Sequence, residues 1–358
     1  MSRIYNFCAG PATLPVEVLE EAQKDLVDFR GCGMSIMECS HRGKEYMAVQ
    51  EEAIANINEL LNVPDTHEVL LLQGGASGQF AMIPMNLLPA DGVADYTNSG
   101  AWAIKAIKEA KNVGQVNVIA DCGKDVPTRV PSPDELQQTP GAAYLHITSN
   151  ETISGAQWKT FPTSDAPIVA DMSSDILSRP IDVSQFGLIY AGAQKNLGPS
   201  GVTLVVVRKD LAAAGNSTIP NIMRYQTHID NGSMYNTPPC FAIYILALTT
   251  RWLKNAGPEA MYKQNVDKAK RLYDALDASA FYTGTAALEC RSDMNVTFRL
   301  PSEDLEAQFA KESTAAGLMQ LKGHRSVGGL RASIYNAFPT EGVDALVTFM
   351  KDFERANG

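Results

Sequence analysis

The sequence predicts an α/β protein in which a mostly parallel seven-stranded sheet is flanked by helices and followed by a smaller α+β C-terminal domain. Three observations carry that prediction. Between residues 68 and 208, short β-rich runs alternate with helical stretches, the pattern of strands joined by crossovers. Several of those runs are continuously apolar, as strands covered on both faces are. Past Pro238-Pro239 the texture changes to two long helical stretches and then to shorter mixed elements.

Taken in order, Pro15–Arg30 reads as a first helix, with Pro15 in its first turn and Gly31-Cys-Gly33 ending it. Tyr46–Leu61 is a second, amphipathic helix closed by Asn62-Val-Pro64. Glu68–Gln73 is a strand, and Gly74-Gly-Ala-Ser-Gly78 leads into a helix over Gln79–Leu88. The strand Val93–Thr97 is followed by Asn98-Ser-Gly-Ala-Trp102 and the helix Ala103–Lys111. Further strands are expected at Val116–Ala120, Ala142–Thr148, Ile168–Ala170, Leu188–Ala191 and Val202–Arg208. Phe241–Asn255 and Glu259–Leu276 are long helices, the second linking domains. Asn295–Arg299, Ser302–Ala316, Leu330–Ser333 and a last helix, Gly342–Arg355, form the α+β part.

Composition excludes several classes. The formal net charge is -10 and the sequence pI is about 5.1, which argues against a nucleic-acid surface. No apolar run approaches the ~20 residues that span a bilayer, and Met1–Pro11 carries no apolar signal segment, so no membrane partner and a cytoplasmic location are expected. The six cysteines are scattered without a CxxC pair, which fits reduced thiols and no metal site.

Chemistry concentrates at strand ends, where ligands bind in open α/β sheets. Lys195 stands between the apolar runs Leu188–Ala191 and Val202–Val207, among Ala191, Gly192, Ala193, Gly198, Ser200 and Gly201. Alone it reads as a strand-end lysine whose head reaches solvent. Burial would instead favour the neutral amine that forms a Schiff base with a carbonyl. Asp171, where Ile168-Val-Ala170 stops, reads alone as a cap. Beside Lys195 it becomes the anion that keeps a pyridine nitrogen protonated, so that the ring can accept electrons. The turn Gln73-Gly-Gly-Ala-Ser-Gly-Gln-Phe80 offers backbone N–H groups to a phosphate but matches neither dinucleotide nor nucleoside-triphosphate signatures. Trp102 either stacks on a flat ring or packs in the core. Ser40-His-Arg-Gly-Lys44 and Gly323-His-Arg-Ser-Val-Gly-Gly-Leu-Arg331 gather arginines whose forks match carboxylate and phosphate oxygens, or else sit as surface pairs. Read as a site, they favour a substrate anionic at both ends.

With these residues assembled, the chain resembles the fold-type-I pyridoxal-phosphate transferases and, within class V, the phosphoserine aminotransferase family. The resemblance runs nearly end to end, through Asn6–Ala12, Glu38–Gly43, Asn150-Glu-Thr-Ile-Ser-Gly155, Tyr190-Ala-Gly-Ala-Gln-Lys-Asn196, Gly232–Pro239 and Gly323–Ala337. It implies pyridoxal 5'-phosphate bound covalently at Lys195, with Asp171 at the pyridine nitrogen, Trp102 on the ring and Thr152 at its phenolic oxygen. Ala76, Ser77 and Gln194 would hold the phosphate, joined by Asn236 and Thr237 from the other subunit of a homodimer with shared active sites. Arg331 would take the α-carboxylate, and His41, Arg42, His324 and Arg325 the distal phosphate or γ-carboxylate. Some family members carry arginine where Ser77 stands, so a cation near the distal anion is missing here.

The resemblance also implies a large cofactor-binding domain over residues 16–256 and a small domain over residues 1–15 and 257–358. The implied reaction passes an amino group between glutamate and 3-phosphohydroxypyruvate, with a related phosphorylated oxo acid of pyridoxine synthesis as a second substrate. Two other readings use the same scaffold. A cysteine desulfurase needs a mobile catalytic cysteine, and none of the six stands in a compelling loop. A non-catalytic binding protein needs neither Lys195 nor Asp171.

Overall fold

A computed structural model describes residues 3–122 and 128–358; residues 1 and 2 of the expected small domain lie outside it. Its centre is a sheet of seven strands among the described residues: β1 (His67–Leu72), β2 (Val93–Asn98), β3 (Gln115–Asp121), β4 (Leu145–Thr148), β5 (Ile168–Asp171), β6 (Phe186–Gly192) and β7 (Thr203–Arg208). They lie in the order β1-β7-β6-β5-β4-β2-β3. Only β7 runs against its neighbours, β1 and β6, while the other pairings are parallel.

The continuous apolar runs have the reason expected of them. In β7, Leu204 and Val206 enter one hydrophobic core while Val205 and Val207 enter another on the opposite face. Ile189 and Ala191 of β6 divide from Leu188 and Tyr190 in the same way. One face is covered by α2 (Lys44–Leu61), through Tyr46, Val49, Ala53 and Ile57, and by α5 (Cys240–Ala256), through Ile243 and Leu246. The other is covered by α3 (Gly75–Leu87) with Phe80 and Ile83, and by α4 (Ala101–Lys111) with Ala106 and Ala110. A strand with period-two side chains can bury every residue only in such a sandwich.

Some boundaries differ from expectation. The first helix, α1 (Val16–Lys24), stops six residues early, and a separate 3-10 turn at Phe29–Gly31 brings Phe29 edge-on to Tyr244, 5.4 Å between ring centres. The glycine-rich turn before α3 is itself helical: Gly74 takes φ 96° and the helix begins at Gly75, so Ala76 and Ser77 lie in its first turn. Asp171 is the last residue of β5 rather than the residue after it.

A third core gathers around α6 (Pro258–Asp277), α7 (Glu303–Ala315) and α8 (Thr340–Asn357), against the antiparallel sheet β8-β9-β10 (Thr283–Gly284, Asn295–Arg299, Leu330–Ser333). Leu272, Phe298, Phe309, Leu346 and Phe353 meet there. The N-terminal segment joins this core: Phe7 is part of it, and Tyr5–Asn6 pairs in parallel with Leu318–Met319.

Lys268 of α6 is fully buried and donates to Tyr335 O at 2.7 Å and Phe338 O at 3.1 Å. Burial pushes its pKa down to about 7, and a neutral amine still supplies the two N–H donors those carbonyls need. The unfolded chain therefore binds more protons than the folded one between about pH 7 and the ordinary lysine value of 10.5, so this group makes stability rise with pH across that window. Urea unfolding at pH 7 and pH 10 should show a smaller gain for Lys268→Met than for the unaltered protein; an equal gain would contradict the assignment.

Candidate active site

Lys195 follows the C-terminal end of β6, in a turn fastened by Leu197 N–H and Gly198 N–H to Ala193 O, both at 3.0 Å. Its Nζ donates to Thr152 Oγ1 at 2.7 Å and stands 5.1 Å from the centre of the Trp102 ring. Around it lies a cavity of about 280 Å³, lined by Gly74–Ser77, Trp102, Asp171, Ser173, Gly192–Lys195 and Ser200–Val202. Small residues make the room, as the sequence suggested. A Cβ on Gly192 would stand 3.7 Å from Ala76 N, and one on Gly10 would meet Lys195 Cγ at 3.4 Å.

The electrostatics follow from burial. Desolvation pushes the Lys195 amine down to about 8, against the pull of the Asp171 and Glu151 carboxylates. The same desolvation pushes the Asp171 carboxyl up, with the Lys195 ammonium and bonds from Ser173 opposing it. Asp171 accepts Ser173 N–H at 2.9 Å, and Ser173 Oγ accepts Gly192 N–H at 3.1 Å, which ties the ends of β5 and β6 together.

The cavity thus has an acid on one wall, first-turn N–H groups of α3 on another, and a nucleophilic amine with an indole ring between them. Early N–H groups of a helix have no intrahelical partner and attract anions. Among the buried polar atoms, Trp102 Nε1 has no hydrogen-bond partner. This donor set fits a flat, phosphorylated pyridine aldehyde.

Six of the residues singled out from the sequence line this cavity together: Ala76, Ser77, Trp102, Asp171, Gln194 and Lys195. Thr152 joins through its bond to Lys195, and Arg331, on β10, donates to Thr152 O at 3.2 Å. His324 lies in the field of Arg331, Arg325 and Lys105, whose charges add to burial in holding its pKa down. Four others are not part of the cavity within this chain. His41 and the exposed Arg42 precede α2, and Arg42 N–H bonds to Ser40 Oγ. Asn236 and Thr237 are exposed; Asn236 lines a different cavity of about 380 Å³ beside Gln73 and Gly74.

Two residues went unread in the sequence. Lys105 lies with its Nζ 4.2 Å from the centre of the Trp102 ring and adds a cation near His324; its three-residue spacing from Trp102 on a helix was a usable signal. Glu151 is wholly buried and accepts the N–H groups of Trp102 and Ala103. Its partners lie 48 and 49 residues away, beyond any local pattern.

The sequence profile of the class-V aminotransferases matches residues 4–346. The chain is 56% identical to the phosphoserine aminotransferase of Desulfosudis oleivorans and 55% identical to that of Niallia circulans, over 99% of both chains in each comparison. The chain belongs to the phosphoserine aminotransferases of class V. Its fold matches the solved phosphoserine aminotransferase of Bacillus circulans subsp. alkalophilus with a TM-score of 0.97 at 54% identity, covering 99% of each chain. The phosphoserine aminotransferase of Trichomonas vaginalis, described with pyridoxal phosphate bound, matches with a TM-score of 0.94 at 41% identity, over 98% of this chain and 100% of that one. The α/β fold with a mostly parallel seven-stranded sheet expected from the sequence is the fold of this family.

The lowered pKa of Lys195 has a direct readout. In ligand-free protein, acylation of Lys195 should rise with pH through a midpoint near 8, because only the neutral amine reacts. Competitive labelling followed by peptide mapping measures it; a midpoint at the ordinary lysine value would contradict the electrostatics described.

Proposed function

We propose that this chain binds pyridoxal 5'-phosphate at Lys195 and catalyses reversible amino-group transfer between glutamate and 3-phosphohydroxypyruvate, giving 2-oxoglutarate and O-phosphoserine. The observation that carries the reading is Lys195 as a depressed amine in a small-residue cavity, with Asp171 and the first turn of α3 as further walls. The family membership supports the same reaction.

When bound, the cofactor supplies an electron sink for the substrate's α-carbon. The chain's own residues do the rest. Lys195, neutral near its pKa, takes the α-proton and later returns it, a task for which a value close to the working pH is suited. Asp171 holds a proton at the pyridine nitrogen, and the first-turn N–H groups of Ala76 and Ser77 hold the phosphate with Gln194. Trp102 covers the ring, and Thr152 holds its phenolic oxygen. Arg331 takes the α-carboxylate. His324 and Arg325, with His41 and Arg42, take the distal phosphate or γ-carboxylate. A related phosphorylated oxo acid, on a route to pyridoxine, is a second substrate with the same two anionic ends.

The working unit is a homodimer in the cytoplasm. Asn236 and Thr237 stand exposed and off the Lys195 cavity of their own chain, which supports their serving the phosphate site of a second copy. Residues 16–256 form the large domain and residues 1–15 with 257–358 the small one, a division supported by the separate core that Phe7 shares with the C-terminal elements. Among the described residues, none of those lining the Lys195 cavity is a cysteine, which counts against desulfurase chemistry.

Glutamate alone should shift the absorption of the holoprotein to that of the pyridoxamine form, and 3-phosphohydroxypyruvate should restore it. Unphosphorylated hydroxypyruvate restoring it equally well would overturn the anion-binding role of the His-Arg clusters. Arg331→Ala should raise KM for every amino acid by roughly 10- to 100-fold, the loss of one charge-assisted pair. Arg42→Ala should raise it mainly for substrates with a distal anion. Equal effects of both changes on alanine and phosphoserine would refute the division of labour.

A further inference from the structure

Glu151 is a wholly buried ionisable group at the site to which the reaction assigns no task. Its carboxylate spans the start of α4: Oε2 accepts Trp102 N–H at 3.2 Å, and Oε1 accepts Ala103 N–H at 3.1 Å and the Ser99 hydroxyl at 3.4 Å. The capping position of α4 is Gly100, which has no side chain to offer. A Cβ there would lie 2.5 Å from Glu151 Cδ and 2.6 Å from Oε2. The carboxylate therefore fills the space a local capping side chain would use.

Local caps such as Ser or Asp satisfy the same N–H groups while staying near solvent. A carboxylate in full burial carries a desolvation cost that a simple cap avoids, so its placement calls for another role. The next residue shows what that role is. Thr152 Oγ1 accepts from Lys195 Nζ, and Thr152 O accepts from Arg331. One short segment, Glu151–Thr152, thus holds the helix that carries Trp102, the amine of Lys195 and the guanidinium of Arg331.

We propose that Glu151 is a positioning residue for the active site: its carboxylate sets the depth and angle of Trp102 against the cofactor ring, and its charge bears on the nitrogen of Lys195. The inference rests on the assignment of Trp102 and Lys195 made above. Burial pushes the Glu151 carboxyl up to about 7, with the Ala103 and Trp102 N–H groups drawing it down, Asp171 raising it and Lys195 lowering it. Its charge and that of Lys195 are therefore linked in both directions.

Two variants approach the proposal from opposite sides. Glu151→Gln keeps size and one acceptor oxygen but removes the charge; Gly100→Ala keeps the charge but drives a methyl group into the carboxylate. Each is compared with the unaltered protein in three measurements. These are thermal stability without cofactor, affinity for pyridoxal phosphate by tryptophan quenching with Trp102→Phe as reference, and the pH midpoint of the bound cofactor's absorption. Both variants should weaken cofactor binding on the order of tenfold, as loss of about one charged hydrogen bond does. The midpoint should fall in Glu151→Gln, because a neighbouring anion favours the protonated nitrogen. Affinity and midpoint unchanged in Glu151→Gln would overturn the proposal, whether or not stability fell. Unaltered protein that takes up no pyridoxal phosphate would defeat the reading of the preceding subsection, and this inference with it.

Discussion

Burying one amine is the constraint around which the rest of this structure is arranged. Lys195 can act as a nucleophile and base near neutrality only if water is kept from its ammonium form, and desolvation is the largest influence on it. That requirement explains the glycines and alanines of the β6–β7 turn, because each missing side chain is space for a ligand instead. The flanking β6 and β7 are apolar on both faces because helices cover the sheet on each side. The turn is held between two buried strands, and the amine is held by its bond to Thr152 with Trp102 beside it.

Desolvation alone would push the amine further down, and the neighbouring carboxylates restrain it. Asp171 and Glu151 favour the ammonium while Arg331 disfavours it, and the balance leaves the amine near 8 rather than far below. The two acids reach the site by different routes. Asp171 ends a central strand, so the sheet places it. Glu151 reaches the start of α4 from a segment distant in sequence, so tertiary packing places it. In a chain of net charge -10, the cations are similarly concentrated: Arg331, Arg325 and Lys105 all bear on His324.

Much of this was legible in the sequence because it is written in local patterns. Seven apolar runs gave seven strands, and Lys195, Asp171 and Trp102 stood where strands or early helix turns end. The first helix was read too long, since Asp25–Asp28 carries no glycine or proline to mark the break that frees Phe29 to turn inward. Glycine disfavours helix, so Gly74–Gly78 reads as a turn leading into a helix, yet Gly75–Gly78 already form the first turn of α3. Glu151 escaped because an acid between Asn150 and Thr152 looks like any polar strand-end residue. Only the fold brings Gly100 against it. The positions of His41, Arg42, Asn236 and Thr237 belong to another class. Packing of a single chain does not bring them to the Lys195 cavity, and for Asn236 and Thr237 the proposed phosphate lies in a second copy of the chain.

The central claim is that Lys195, and no other lysine, carries the cofactor. Reduction of the purified yellow protein with borohydride, followed by digestion and mass mapping of the labelled peptide, tests it most directly. The account predicts one stoichiometric pyridoxyl group on the peptide containing Ala193-Gln-Lys-Asn196, and none in Lys195→Ala. A label fixed instead on Lys105, Lys268 or another lysine would contradict it, as would a protein that reduction leaves unlabelled.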